Sequence, residues 1–231
     1  MNFAVFDIDG TIVKESLGKD FVIWLNKKGM FSDEVLNEIY SAKKKYKKKQ
    51  VSYAEHQKEI MSAWAKGFKG INKTELEYQA KIFGENYNNF FSGSIQLVKF
   101  FRKKGFYCIV VSGAFEEAIH VIQPKFNFDL IVGTEFESRN RKFTGRMQEK
   151  MWHKKIKKKL LKKIIKEKKL NLKNSFCFGD SEQDSFMLEL VEFPVALHPN
   201  KELNRIAVKN KWNKFFDSKK ALKFVQQKLG L

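Results

Sequence analysis

Residues 3–11 read FAVFDIDGT. Phe3-Ala4-Val5-Phe6 is fully apolar and runs straight into two carboxylates, Asp7 and Asp9, spaced one residue apart and followed by Gly10 and Thr11. A charge taken out of water without a partner is costly, so two acids at the end of a buried segment need cations brought to them from elsewhere in the chain.

The chain of 231 residues is long enough for one substantial core, or for a core with a smaller inserted domain. A hydrophobic fraction of 43% with 23 Phe fits a globular protein and excludes disorder as the main state. No apolar run approaches the ~18 residues of a membrane span. The acidic pair stands where a signal peptide would carry its apolar stretch, so a soluble, cytoplasmic protein is expected. Cys108 and Cys177 each lie inside an apolar run and read as buried strand residues in a reducing compartment. His56, His120, His153 and His198 show no metal-ligand spacing, which argues against zinc. The net charge of +19 attracts anions of any kind, from phosphorylated metabolites to nucleic acid and anionic lipid. Lysines on solvated faces account for it equally well.

Segments 18–29, 32–49, 52–66 and 74–90 place apolar residues at three- and four-residue spacing, and Gly29, Gly67, Gly70 and Ser92-Gly93 punctuate them. They predict a helical domain over 14–92, inserted after the first strand. From Ser94 the pattern alternates: a helix at 95–104 stopped by Gly105, a strand at 106–111, a helix near 114–122, a strand at 129–133 and a hairpin-like segment to Gly145. A lysine-rich helix at about 149–169, a strand at 175–178, a helix at 185–190 and a strand at 194–197 follow. Strands with little polar alternation, joined by helices, predict an α/β fold, a doubly wound and mainly parallel sheet formed by 1–13 and 93–231. Such sheets bind ligands at the carboxyl ends of their strands.

Three strand ends carry chemistry: Asp7-Ile8-Asp9-Gly10-Thr11, then Ser112-Gly113 after Val110-Val111, then Gly179-Asp180-Ser181 after Phe178, with Asp184 four residues beyond Asp180. A hydroxyl and unencumbered backbone N–H groups after a strand suit a bound oxyanion. A fourth element comes from helix geometry. Ile156, Leu160, Leu161 and Ile164 span a face about 140° wide at ~100° per residue, and Lys157 projects near its middle, whereas Lys155, Lys158, Lys159 and Lys162 fall on the polar side. A cation pointing toward the core calls for an anion there; the competing reading is a lysine snorkelling from the helix end.

The set DIDGT, SG, a helical lysine and GDSEQD resembles the haloacid dehalogenase superfamily, and more narrowly its phosphoserine-phosphatase-like branch, subfamily IB, with a helical cap inserted after the first motif. The resemblance covers nearly the whole chain. That branch usually carries its lysine 23 residues before the last aspartate motif, and 180 minus 23 is 157. The resemblance implies a phosphomonoesterase with Asp7 as nucleophile, forming an aspartyl-phosphate, and Asp9 as general acid and base. It implies phosphoryl binding by Ser112, Gly113, Lys157, Gly10 and Thr11, the Thr11 hydroxyl also fixing the turn. It also implies Mg2+ held by Asp7, the backbone carbonyl of Asp9 and Asp180, with Asp184 beside the metal or Lys157. Two carboxylates ~4 Å apart at an effective dielectric of ~20 repel by about 4 kcal/mol, so a hard cation with oxygen ligands removes a real obstacle.

The cap departs from the true phosphoserine phosphatases. No arginine precedes Arg102, and Gly10 stands where their first motif usually has Ser. Glu15 or Asp20 is left to meet a substrate amine, and a small phosphomonoester other than phosphoserine is the favoured substrate. The run KKKYKKK at 43–49, with Trp64, Phe68, Phe90 and Phe91, permits a rival reading in which a basic, aromatic cap binds nucleic acid or anionic membrane. A phosphotransferase would use the same nucleophile. His198 and the segment with Trp212, Phe215 and Phe216 read as core or edge packing.

Overall fold

The computed structural model describes residues 1–148 and 154–231; the expected helical residues 149–153, His153 among them, lie outside it. Strand β1 (Phe3–Phe6) opens the chain, and α1 (Leu17–Lys27), α2 (Asp33–Lys47), α3 (Tyr53–Phe68) and α4 (Lys73–Asn86) follow. Then come α5 (Ser94–Lys103), β2 (Tyr107–Phe115), α6 (Glu116–Phe126), β3 (Leu130–Thr134), β4 (Phe136–Arg139) and β5 (Lys142–Met147). The chain closes with α7 (Lys154–Glu167), β6 (Phe176–Gly179), α8 (Ser185–Leu188), β7 (Phe193–Leu197), α9 (Lys201–Lys209), β8 (Asn213–Phe215) and α10 (Ser218–Lys228). Six strands form one sheet in the order β3-β2-β1-β6-β7-β8, every pair parallel, and β4 and β5 form a separate antiparallel hairpin.

Alternation along β1 explains its uninterrupted apolarity. Phe3 and Val5 join a core under α7, α8 and α9 with Leu161, Met187 and Leu203, while Ala4 and Phe6 join the core on the other face with Leu97, Phe101 and Val225. Both faces being covered, neither needs polar residues. The strand order reverses at β1, which has β2 on one side and β6 on the other, and this reversal opens a crevice at their carboxyl ends.

Serines at 16, 32 and 52 cap the starts of α1, α2 and α3, the last through a reciprocal capping box with Glu55. The chain enters and leaves the four helices through a paired neck, where Lys14 N–H donates to the Asn89 carbonyl and Phe91 N–H to that of Ile12. Their apolar faces merge with the sheet core rather than forming one of their own: Trp64 and Phe68 pack edge-on against Phe115. The α3–α4 turn also pairs with β5, Gly70 N–H donating to the Phe143 carbonyl and Phe143 N–H to that of Ile71.

Several boundaries differ from the sequence expectation. Strand β2 continues through Ser112-Gly113 to Phe115, with a register shift against β3 between Val111 and Phe115, so α6 starts at Glu116 instead of 114. Strand β8 is an edge strand that its short, polar sequence does not announce. Phe215 packs on Phe224 and His198 stacks on Phe91 with centroids 3.7 Å apart, but Phe216 is 67% exposed. Among the described residues no helix is long and apolar enough to cross a membrane.

Candidate active site

The carboxyl ends of β1, β2 and β6 and the α7 face converge on one hollow. Lys157 is 3% exposed, and its Nζ lies 3.0 Å from Asp7 Oδ1 and 2.7 Å from Asp184 Oδ1. The inward projection read from helix periodicity is therefore real, and the anions awaiting it are Asp7 and Asp184; snorkelling is excluded. Asp184 is fully buried and its other oxygen accepts from the Ser181 N–H at 3.2 Å and hydroxyl at 3.0 Å. Both of its oxygens are thus engaged in holding the lysine and the β6–α8 turn.

One oxygen from each of Asp7, Asp180 and Asp184 lies within 4.8 Å of the others. Among the described residues, three carboxylates against one ammonium leave −2 if all ionise, and at an effective dielectric of ~20 each like pair repels by about 3.5 kcal/mol. The proton affinities record this. Burial pushes the Asp7 carboxyl up to about 7, the Asp184 and Asp9 charges adding to the rise and Lys157 opposing it. Asp180 is driven well above the carboxylate range by burial, then by Asp184 and Asp7. Burial pulls the Lys157 ammonium down, but the Asp184 and Asp7 carboxylates outweigh it and hold the lysine charged.

Asp9 sits apart from this trio. Its Oδ1 accepts the Leu17 N–H at 2.9 Å, at the first turn of α1, and loss of solvent raises its carboxyl to about 6 while that N–H and Ser16 oppose the rise. Gly10 adopts φ +79°, and a Cβ there would stand 2.3 Å from Asp180 Oδ2, so glycine alone lets β1 and β6 deliver their acids side by side. Thr11 is buried, its hydroxyl 3.4 Å from Asp180 Oδ1. Ser112 is buried with its Oγ accepting the Ala114 N–H at 3.3 Å, and Gly113 accepts from the Thr134 hydroxyl at 2.9 Å through its carbonyl.

A cavity of about 440 Å³ opens from this hollow toward α2 and α3. Asp7, Asp9, Ser112, Gly113, Lys157 and Asp180 line its floor, and Tyr53, Ile60, Met61 and Trp64 of α3 face them across it. These α3 residues, absent from the sequence-level site, were legible only as a helical stripe at i, i+7, i+8 and i+11. Of the expected site residues, Gly10, Thr11 and Asp184 lie behind the cavity wall, and the two acids expected to meet a substrate amine do not reach it either. Glu15 pairs with Lys19, and Asp20 accepts from the Tyr87 hydroxyl at 3.0 Å and Asn89 at 3.3 Å, tying α1 to the segment after α4.

The aromatics of the rival nucleic-acid reading are packing groups: Trp64 and Phe68 are buried, and Phe90 sits edge-on to Tyr87 and Phe126. The cysteines are buried too, and desolvation disfavours the thiolate of both, raising Cys108 to about 12.

Comparison with known proteins agrees with this geometry. The haloacid dehalogenase-like hydrolase family profile matches residues 4–189. A Mycobacterium leprae protein described as a hydrolase is 26% identical over 215 residues, covering 90% of this chain and 70% of its own. A Bordetella pertussis structure of unknown function superposes with a TM-score of 0.77 at 19% identity, covering 93% of this chain and 97% of that one. A phospho-aspartyl intermediate analogue of phosphoserine phosphatase superposes at 0.67 and 19%, covering 96% and 98%.

Proposed function

Because the chain belongs to the haloacid dehalogenase-like hydrolases and is a phosphatase-like hydrolase with a phosphoserine-phosphatase-like fold, we propose that it hydrolyses a small phosphate monoester through an aspartyl-phosphate on Asp7, with Mg2+ as cofactor. The observation that carries this reading is the buried Asp7–Lys157–Asp184 chain beside Asp180. In it, residues 14–92 serve as a cap over a core made of 1–13 and 93–231.

The residues present fit a hard divalent cation. The donors are carboxylate oxygens, the group has an excess of negative charge, and Asp7 and Asp180 each keep an oxygen that no protein donor occupies among the described residues. Asp7 and Asp180 would hold the ion, with the Asp9 carbonyl as the third expected protein ligand. Asp184, saturated by Lys157 and Ser181, acts by positioning the lysine. When bound, the ion neutralises the carboxylates and polarises the phosphoryl oxygens.

The chain's own groups supply the rest. Ser112, the Gly113 N–H and Lys157 bind the phosphoryl oxygens, and an Asp7 oxygen attacks phosphorus as the ester oxygen departs. Asp9 donates a proton to that oxygen and then accepts one from the water that attacks the aspartyl-phosphate, restoring Asp7 and releasing phosphate. A carboxyl raised to about 6 suits an acid and base that must work in both directions near neutrality.

The test is phosphate release from sugar phosphates, amino-alcohol phosphates, nucleotides and lysophospholipids, with magnesium and with EDTA. Turnover should require magnesium and be lost in Asp7→Asn. Activity surviving that substitution would refute the assignment, as would magnesium-independent, salt-sensitive binding of single-stranded DNA with no turnover of any ester.

A further inference from the structure

The phosphoryl site occupies only the floor of the cavity, and the walls above it have a distinct chemistry. From α2, Ile39 lines the wall, with Tyr40 (47% exposed) and Tyr46 (39% exposed) at its rim; from α3, Tyr53, Ile60 and Met61 line it. Their spacings, 39, 40 and 46 on one helix and 53, 60 and 61 on the other, put each set on one side of its helix, so the two stripes face a common space. At about 440 Å³ the whole cavity, floor included, lies in the range of sites for drug-sized ligands, beyond what a phosphoryl group with a two- or three-carbon alcohol fills.

Charge on these walls has one sign. The acids lining the cavity are Asp7, Asp9 and Asp180, all on the floor. The helical walls contribute Lys19, Lys43 and Lys47 and no carboxylate. Lys19 is held by Glu15 and Asp20, whereas Lys43 and Lys47 form no ion pair among the described residues. His56 stacks on Tyr46 with centroids 4.6 Å apart, and burial keeps its imidazole below the usual range, so it adds an aromatic surface and no negative charge. An ammonium group held above the floor would meet lysines on these walls, the nearby Glu15 carboxylate being already engaged by Lys19 and within the field of Lys43 and Lys47; a hydrocarbon or ring would meet tyrosines and aliphatic side chains.

We propose that the cavity selects phosphate monoesters with an apolar body, of at least one ring or a short hydrocarbon chain, ending in an uncharged or anionic group, and that it discriminates against ammonium-bearing esters. This specificity rests on the hydrolase reading above and sharpens it. Ile60, Met61 and Tyr53 exclude water around the body, and Lys43 and Lys47 meet its far end.

Two measurements test it separately from the chemistry. In the first, kcat/KM with magnesium is compared for 4-phenylbutyl phosphate, octyl phosphate, glycerol phosphate and phosphoethanolamine. At least about tenfold preference for the two apolar esters over glycerol phosphate is expected, since each buried methylene adds severalfold, with phosphoethanolamine poorest. The ring and chain esters decide which apolar shape fits better. In the second, calorimetry compares binding of 4-phenylbutylphosphonate and 2-aminoethylphosphonate, which need no turnover. The same order of preference is expected, and Lys43→Glu, at a half-buried helix position, should narrow the gap severalfold without loss of fold by circular dichroism. Equal kcat/KM across the esters, or equal binding of the two phosphonates, overturns the specificity while leaving the hydrolase intact. Absence of turnover for every ester with the binding preference preserved refutes the hydrolase and upholds the selectivity of the cavity.

Discussion

Replacing Lys157 by Met removes the ammonium placed between Asp7 and Asp184 while keeping most of the side-chain volume. Both carboxylates are then buried without a cation, a situation that costs about 3–5 kcal/mol when one partner of a buried pair is deleted. For a chain of this size that corresponds to a fall in Tm of about 10 °C. The cost should depend on pH in a defined sense. Lys157 lowers the Asp7 proton affinity, so in its absence Asp7 takes up a proton more readily, and the neutral acid needs no partner. In EDTA the loss of Tm should therefore be large at pH 8 and smaller at pH 5. Differential scanning fluorimetry of both proteins at the two pH values measures it. A fall below about 2 °C at pH 8, or an equal fall at both, would show that the lysine does not hold these carboxylates in the folded protein, and the electrostatic reasoning behind the site would fail.

Two further outcomes follow from the same charges and the same backbone. Asp7 has a folded value of about 7 against 3.8 for the free group, so the metal-free folded state binds more protons than the unfolded chain between these values. Its contribution to stability is greatest below 3.8 and declines as pH rises through about 7. Magnesium, competing with protons for Asp7 and Asp180, should accordingly raise Tm more at pH 8 than at pH 5; an equal or larger shift at pH 5 contradicts the metal assignment. At Gly10, substitution by Ala forces a left-handed conformation that costs about 1–2 kcal/mol and drives the new methyl into the Asp180 carboxylate. Weaker magnesium binding by calorimetry and a Tm lower by several degrees are expected, and unchanged magnesium affinity would mean Asp180 is not a ligand.

The two ends of the Lys157–Asp184 contact differ in how readable they were. The inward direction of Lys157 was present in the order of residues along α7, because an α-helix converts a local period into a face. The identity of its partners was not: Asp7 is 150 residues distant and Asp184 27, and their convergence depends on β1 and β6 lying side by side. Strand β2 shows the opposite failure. Ser112-Gly113 reads locally as a turn, yet pairing with β3 carries the strand through it to Phe115, with the register slipping to accommodate the extra residues. Glu15 and Asp20 were chosen as acids near the first motif, and nothing local reveals that Lys19, Tyr87 and Asn89 already engage them.

By itself the sequence determined the layered α/β architecture, a run of helices after β1, the acids Asp7 and Asp180 at the ends of apolar strands and the inward direction of Lys157, since each rests on a period or on a polar residue ending an apolar strand. Only the tertiary structure decided that Asp184 holds the lysine, that Asp9 turns to α1, and that α2 and α3 wall the cavity with tyrosines and lysines. The physical reason is range: backbone geometry gives a side chain its direction within a few residues, whereas what it meets there depends on how distant elements pack.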